Sequence, residues 1–247
     1  TKVTANEGNV LISADGALNL VSVLVAASVS STKTGSTGGT QAAGEGVVNI
    51  FINDNKAIAK VGDAVVINAP KGNVTVKAAS KIGYTGIVGG LAKSGGHGIG
   101  ASVSVLVVNN EILAQTGNGV TITAGKKIHV DADSKETIVA VVVNGAASTG
   151  ANSGVAVAVS PSVNVIKGST QAIAGTGSYT ANSMDVTADS TTKIVILSGG
   201  AAVSTGKAGV GGSVQVDVFL KKVKAHLEDG QLAKTFVTED EDEHQAV

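Results

Sequence analysis

The chain of 247 residues contains no cysteine, no tryptophan and no arginine. Without cysteine it has neither disulfides nor thiolate metal ligands, although this leaves the cellular compartment open. Arginine is the residue that most often grips phosphate or guanine through two parallel hydrogen bonds. All basic residues are lysine and the net charge is only -1, so we expect no nucleic-acid partner.

Aromatic residues are also scarce, at 2% of the chain, and there are only two prolines. An ordinary globular core takes much of its buried area from aromatic rings. Here 43% of the residues are hydrophobic and most of these are small or β-branched, while 33 residues are glycine. Valine and isoleucine suit pleated strands and glycine suits tight corners, so the composition predicts an all-β protein.

Long apolar runs are missing as well. The richest stretches, residues 18–29 and 138–147, are interrupted by serine, asparagine or glycine and fall short of the roughly 20 residues of a membrane helix. We therefore expect no membrane insertion. Residues 2–9 lack the apolar segment of a secretion signal, and we expect the chain to be part of a longer one.

What the sequence does contain is an internal repeat of about 55 residues. The pattern Val-x-Ala-x-Ser at 76–80 recurs at 130–134 and 186–190, with a looser copy at 12–15. Three further markers recur in the same order: Ser/Thr-Gly at 34–35, 94–95, 149–150 and 205–206; alternating valine strands at 48–52, 103–105, 155–157 and 214–218; and an alanine before a glycine corner at 59–62, 114–117, 174–177 and 225–230. Four markers in four copies indicate a repeat architecture.

Such a repeat predicts a parallel β-solenoid over residues 1–230. Alternating stretches such as residues 120–123 are typical of half-buried strands, and Pro161 is best placed at a strand edge or corner. We expect each repeat to divide into about three short-stranded coils, giving about twelve rungs and a rod of about 60 Å at an inter-strand spacing of about 4.8 Å. An antiparallel β-sandwich is the alternative.

The acidic run at 239–243 defines a second region. Residues 231–247 are expected to form a disordered or capping tail, and a partner-binding role for this tail stays open. A polar end would also discourage edge-to-edge association of the last strand.

These repeats resemble those of filamentous-haemagglutinin-like proteins of two-partner secretion, including the fusobacterial leukotoxin type, and of related autotransporter adhesins. The resemblance rests on the segment Val-Val-Asn-Asn-Glu-Ile-Leu-Ala at 107–114, its counterpart at 53–57, and the Val-x-Ala-Asp-Ser segments. It covers residues 1–230 and implies a right-handed parallel β-helix. It also implies export by a Gram-negative bacterium through an outer-membrane transporter, with display at the cell surface or release.

Candidate chemical groups are few. Asp131 and Asp133 lie two residues apart, so both point to one face of a strand, where an outward solvated pair is favoured over a cation site or an acid-base pair. We expect Asp189, the matching residue of the next repeat, to lie three rungs away, at about 14 Å, too far to share an ion.

The histidines and the glycine-rich stretch also favour structural roles. His97, His129, His226 and His244 are not spaced as metal ligands. Residues 95–100 resemble a phosphate loop or a calcium repeat, but neither the following helix nor the aspartate is present, so we expect a corner. No catalytic, cofactor-binding or metal-binding residue is assigned.

Two further patterns in the sequence bear on function. Thr121 and Thr123 form one Thr-x-Thr pair of the kind that ice-binding solenoids repeat, but the other rungs do not continue it. Asn53, Asn55, Asn109, Asn110 and Asn164 are expected at related corners, where stacked amides satisfy one another.

The resulting hypothesis is a non-catalytic structural shaft of a surface adhesin or filament. Cell-surface receptors of a host or another bacterium would bind through loops such as residues 31–46 or 83–100. The first alternative is a carbohydrate-active β-helix enzyme, a polysaccharide lyase or hydrolase, and an ice-binding solenoid ranks below it.

Overall fold

A computed structural model describes residues 1–31, 41–150 and 154–228. Within these ranges the chain forms parallel β-strands and no helix. The strands are β1 Lys2–Thr4, β2 Val10–Ser30, β3 Ala42–Lys60, β4 Val66–Ala69, β5 Val74–Ser94, β6 His97–Gln115, β7 Val120–Ala124, β8 Lys127–Ser148, β9 Val155–Val159, β10 Ser162–Ala174, β11 Gly177–Thr180, β12 Ser183–Ser204, β13 Ala208–Gly212 and β14 Gln215–Leu227. The all-β expectation is confirmed.

The strands pair into three parallel sheets. A short sheet contains β1, β4, β7 and β11, and a first long sheet contains β2, β5, β8 and β12. The second long sheet has four layers: β3, then β6, then β9 followed along the chain by β10, and last β13 followed by β14. Each turn of the chain therefore runs up the first long sheet, returns down the second, and closes through a short strand.

Successive repeats lie directly against one another. Val10 pairs with Val74, Val74 with Ile128, and Ala42 with His97. The two residues of each pair lie one repeat apart in the sequence, so every residue pairs with its own counterpart in the next repeat. This in-register stacking is the defining feature of a solenoid-like fold.

The expected number of rungs was wrong. Each repeat forms one large coil with strands of up to 22 residues, not three small coils, so the described residues contain four layers and not about twelve. The alternation of inward-facing and outward-facing residues continues without a break through strands such as β6 and β8, and the glycines inside these strands do not bend them into a new coil. At about 4.8 Å per layer, the stack is shorter along its axis than its strands are long.

Some of the sequence markers fall at equivalent places and others do not. The Val-x-Ala-x-Ser segments pair in register, with Ile12 beside Val76, Val76 beside Val130, and Val130 beside Val186. The valine strand at 155–157 pairs with residues 208–210 and 98–99 and not with 103–105. Likewise Ala114 pairs with Ala172 and not with Ala174, and Ser94 pairs with Ser148 and not with Thr149. Pro161 lies in the gap between the end of β9 and the start of β10, a position that suits a residue without an N–H.

The interior changes character along the strands. The end of each coil that the short sheet closes is called the base. There large aliphatic side chains fill the core, including Ile67, Ile112 and Ile122, each at most 2% exposed. The other end of each long strand, near the turns at 95–96 and 205–207, is called the tip. There the two long sheets approach so closely that a Cβ at Gly98 would lie 2.6 Å from the carbonyl oxygen of Ala147. Only small residues fit there.

One turn position differs between successive coils. Gly119 has a positive φ of 65°, and its counterpart one repeat earlier, Ala64, has a φ of 52°. A Cβ at Gly119 would meet nothing within 4 Å, so the left-handed backbone is the only obstacle to a side chain there.

We expect Gly119→Ala to destabilise the protein by about 1 kcal/mol and Ala64→Gly to stabilise it by about 0.5 kcal/mol, measured by urea unfolding. Gly44→Ala is the matched control, because its Cβ also meets nothing within 4 Å and its φ is not positive. A loss at Gly44 equal to that at Gly119 would show that the turn conformation is not the cause.

Candidate functional site

The aspartates singled out in the sequence lie on the outer face of the first long sheet. Asp131 and Asp133 point outward, while Val130 and Ala132 are fully buried, as expected. The expected distance to Asp189 was wrong, because Asp189 pairs directly beside Asp133 on the neighbouring strand. One repeat is one coil, so matching residues of consecutive repeats are adjacent.

Asp131 is held by a set of neighbours. Its carboxylate lies 3.5 Å from the ammonium of Lys77 and 3.9 Å from Nε2 of His129, and it accepts a hydrogen bond of 2.7 Å from Thr187. Only 14% of the side chain is exposed. Within the described ranges, no group of three or more acidic or histidine side chains is placed to hold a metal ion.

The remaining sequence candidates take structural positions. Residues 95–96 form the tight turn that was expected, but 97–100 begin strand β6. The binding loop expected at 83–100 is largely strand, since residues 83–94 belong to β5 and 97–100 to β6. In the loop expected at 31–46, residues 42–46 belong to β3. Residues 32–40 and the whole of the expected tail at 231–247, including His244 and the acidic run at 239–243, lie outside the described residues.

The isolated Thr-x-Thr pair stays isolated. Thr121 pairs beside Val66 and Ser178, so no continuous threonine column forms on the short sheet. The asparagines lie within long strands and not at corners, yet two of them do stack. Asn55 donates to the Asn110 side-chain oxygen at 2.7 Å.

Asn110 belongs to a buried polar network between the two long sheets. It is fully buried, accepts hydrogen bonds from Asn55 and Ser80, and donates to Ser134 at 3.0 Å and to the Glu136 carboxylate at 2.9 Å. Each polar atom of this amide therefore has a partner, as burial requires.

Glu136 is the charged centre of the network. Its side chain is 0% exposed, and its second carboxylate oxygen accepts hydrogen bonds from Thr192 at 3.2 Å and from the Lys221 ammonium. A buried carboxylate is tolerated only when paired and hydrogen-bonded. Glu136 and Lys221 therefore form a structural ion pair. Both carboxylate oxygens of Glu136 are engaged by other side chains of the protein, so neither is free to contact a substrate.

Lys221 reaches Glu136 across a glycine. Asn110, Gly168 and Lys221 occupy the same register position on neighbouring strands of the second long sheet. A Cβ at Gly168 would lie 2.7 Å from the Lys221 ammonium nitrogen. The missing side chain at this position is what allows the lysine to turn inward.

Sequence reasoning missed this network, although a signal was present. In β8 the even-numbered residues point inward, from Ile128 through Ser134 to Ile138. Continuing the period of two places Glu136 inside as well. Its partners could not be found in this way, because they come from other strands and two other repeats.

A cleft of about 680 Å³ lies along the first long sheet beside Glu136. Three lysines, Lys81, Lys135 and Lys193, line it together with threonine and asparagine side chains. Such a surface can attract a carboxylated or sulfated saccharide through its ammonium groups. The acids beside it are paired: Asp133 lies 3.8 Å from Lys135, and Glu136 is bound to Lys221.

Among the described residues, Tyr179 and Asp185 have pKa values shifted from their ordinary values. Burial raises the pKa of the Tyr179 phenol above its ordinary value, and the hydrogen bond with Thr116, at 2.7 Å, partly offsets this. The same phenol donates to the carbonyl of Gly175 at 2.6 Å. On the surface, a hydrogen bond from Lys127 holds the pKa of Asp185 below its ordinary value.

No protein-family model, curated protein or solved structure matches the chain. Among the described residues, no helix is long and apolar enough to cross a membrane.

We expect Glu136→Gln to lower the free energy of unfolding by about 2 kcal/mol, because it removes a charged acceptor from Lys221 and Asn110. Chemical denaturation measures the change. Glu111→Gln is the matched control: its ion pair with Lys56 is 3.4 Å long and exposed, so its loss should be within about 0.5 kcal/mol. Equal losses for both variants would contradict a stabilising role for the buried pair.

We also expect a pH dependence that belongs to Tyr179. Because its pKa is raised in the folded state, its contribution is present below the unfolded pKa of about 10 and is lost as pH rises above it. Unfolding free energies measured from about pH 9 to about pH 11 should fall more steeply for the wild type than for Tyr179→Phe. The two proteins differ only in this hydroxyl, so parallel curves would contradict the assignment.

Proposed function

We propose that the chain is a shaft segment of a large exported bacterial surface adhesin or filament, with a scaffolding and not a catalytic role. The observation that carries this proposal is the register, in which each residue of a repeat pairs beside its counterpart in the next. A stack of this kind extends by adding coils, and each added coil needs contact only with its neighbour.

The finer features follow from the sequence resemblance and from general rules. We propose that the coils wind in the right-handed sense, which parallel crossover connections adopt in nearly all proteins. Export by a Gram-negative cell through an outer-membrane transporter, and receptor contacts through the turns at the tip, complete the proposal.

A carbohydrate-active enzyme is the second candidate, and the lysine-lined cleft is the observation that favours it. Binding of an acidic saccharide there would not by itself give turnover, since catalysis also needs an acid and a base at the scissile bond. Glu136, which lines the cleft, already forms an ion pair with Lys221.

Surface display tests the scaffold proposal. The full chain, anchored on a Gram-negative strain, should be accessible to antibody and should raise adhesion to host or bacterial cells above that of the anchor alone. Adhesion should rise because the stacked coils hold their turns in fixed positions away from the anchor. Unchanged adhesion would count against the adhesin role, and failure to reach the surface would count against export.

The enzyme candidate is tested separately with the purified chain and pectins, alginates and glycosaminoglycans as substrates. We expect no turnover. Steady turnover that Asp131→Asn abolishes would replace the scaffold proposal. Asp54→Asn is the matched control, because Asp54 is an outward carboxylate on the other long sheet.

A further inference from the structure

The half of each coil that lies nearer to the tip, which we call the tip half, has an apolar outer face on the first long sheet. Its outward positions at 21–29, 85–93, 139–147 and 195–203 carry valine, isoleucine, leucine, alanine or glycine, with Thr85 and Lys93 as the exceptions. The most exposed hydrophobic side chains are Val21 65%, Val23 59%, Val25 72%, Val29 69%, Val195 59%, Leu197 58% and Val203 67%.

The outer face of the second long sheet is apolar at the same height. Val48 is 60% exposed, Ile50 65%, Ile52 71% and Ile99 54%. Further along the same face, Val210 is 58% exposed. Contiguous apolar patches of this extent are rare on soluble monomers and mark contact surfaces.

Between these faces the interior mixes polar and hydrophobic residues. The buried polar residues of the tip half include Ser94, Ser102, Ser104, Asn144, Ser148, Ser160, Ser162 and Asn164. The buried hydrophobic residues there form two small clusters, one of Val47, Val88 and Val142 and one of Ala146, Ala156 and Ala158. A β-sandwich in water keeps its outer faces polar, whereas the outer faces of the tip half are apolar.

The apolar band has a definite height. It covers about nine residues on each strand, for example 21–29 on β2 and 99–107 on β6, which at about 3.3 Å per residue is about 30 Å. This matches the hydrocarbon thickness of a bilayer, about 30 Å.

Charged residues lie at the limits of the band. Among the described outward positions within it, Lys93 is the single charge and lies at the tip end. On the base side, Lys135, Lys193 and Lys167 follow within a few residues, together with the acidic Asp54. Lysines at such limits can reach lipid headgroups while their stems stay apolar.

We propose that the tip half enters the hydrocarbon region of a phospholipid bilayer, with the charged base outside. A lipid environment covers both outer faces at one height, whereas a second copy of the chain would cover one of them. This reverses the expectation of no membrane insertion, which rested on uninterrupted apolar runs and overlooked outward valines that alternate with serine or glycine. The proposal does not depend on the scaffold role.

The strands at the two ends of the stack limit how insertion occurs. In the described residues, β2 and β12 each pair on one side only within the first long sheet. Lipid offers no hydrogen-bond partner to such edges. Insertion should therefore involve several chains side by side, and vesicle binding should rise cooperatively with protein concentration.

A tryptophan reporter tests the proposal, since the chain has no tryptophan of its own. Val25→Trp places the reporter within the band, and Leu11→Trp places it on the same face of the same strand near the base, at a site 64% exposed. With phosphatidylcholine vesicles containing phosphatidylglycerol, the band reporter should shift to the blue and be quenched by lipids brominated in their acyl chains. The base reporter should show neither change.

A charge placed in the band gives the quantitative test. Val25→Lys should weaken vesicle binding at least about 30-fold, the effect expected of lysine near the bilayer midplane, while Leu11→Lys should leave it within about twofold. Equal binding by both variants, or an unquenched band reporter, would overturn the proposal. So would a lipid-free oligomer that Val25→Lys dissociates without any vesicle binding, because a second copy would then cover the band.

Discussion

The structure depends on one interaction, the parallel backbone hydrogen bonding of each repeat to the next in register. It sets every residue beside its counterpart, so small differences between repeats become columns of contacts. The column of Asn55, Asn110, Gly168 and Lys221 shows the consequence. Glu136 is surrounded by groups from these neighbouring strands: the two asparagine amides, the space left by the glycine, and the lysine ammonium.

The same stacking divides each coil into two physical environments. At the base, a short sheet closes the coil and large aliphatic side chains pack inside. At the tip no third sheet separates the long sheets, and the interior between them is filled largely by serine, asparagine, alanine and valine side chains. Other valines and isoleucines of this half point outward and form the apolar band.

Scaffolding and lipid contact make different demands on this architecture. A shaft needs only regular coils, which the register supplies, and it tolerates variation on its outer faces. Lipid contact needs an outer face of uniform polarity and fixed height, which the tip half has and the base lacks. The scaffold role therefore rests on the register and lipid contact rests on the outer faces of the tip half, so different experiments test them.

The sequence alone determined the all-β class, the repeat of about 55 residues and the outward position of Asp131, because alternation and repetition are local properties of the chain. It did not determine that one repeat is one coil, since strand length depends on how far two sheets remain in contact. The partners of Glu136, the nearness of Asp189 to Asp133 and the apolar band were likewise decided by tertiary structure. Each arises from residues of different repeats that only the stack brings side by side.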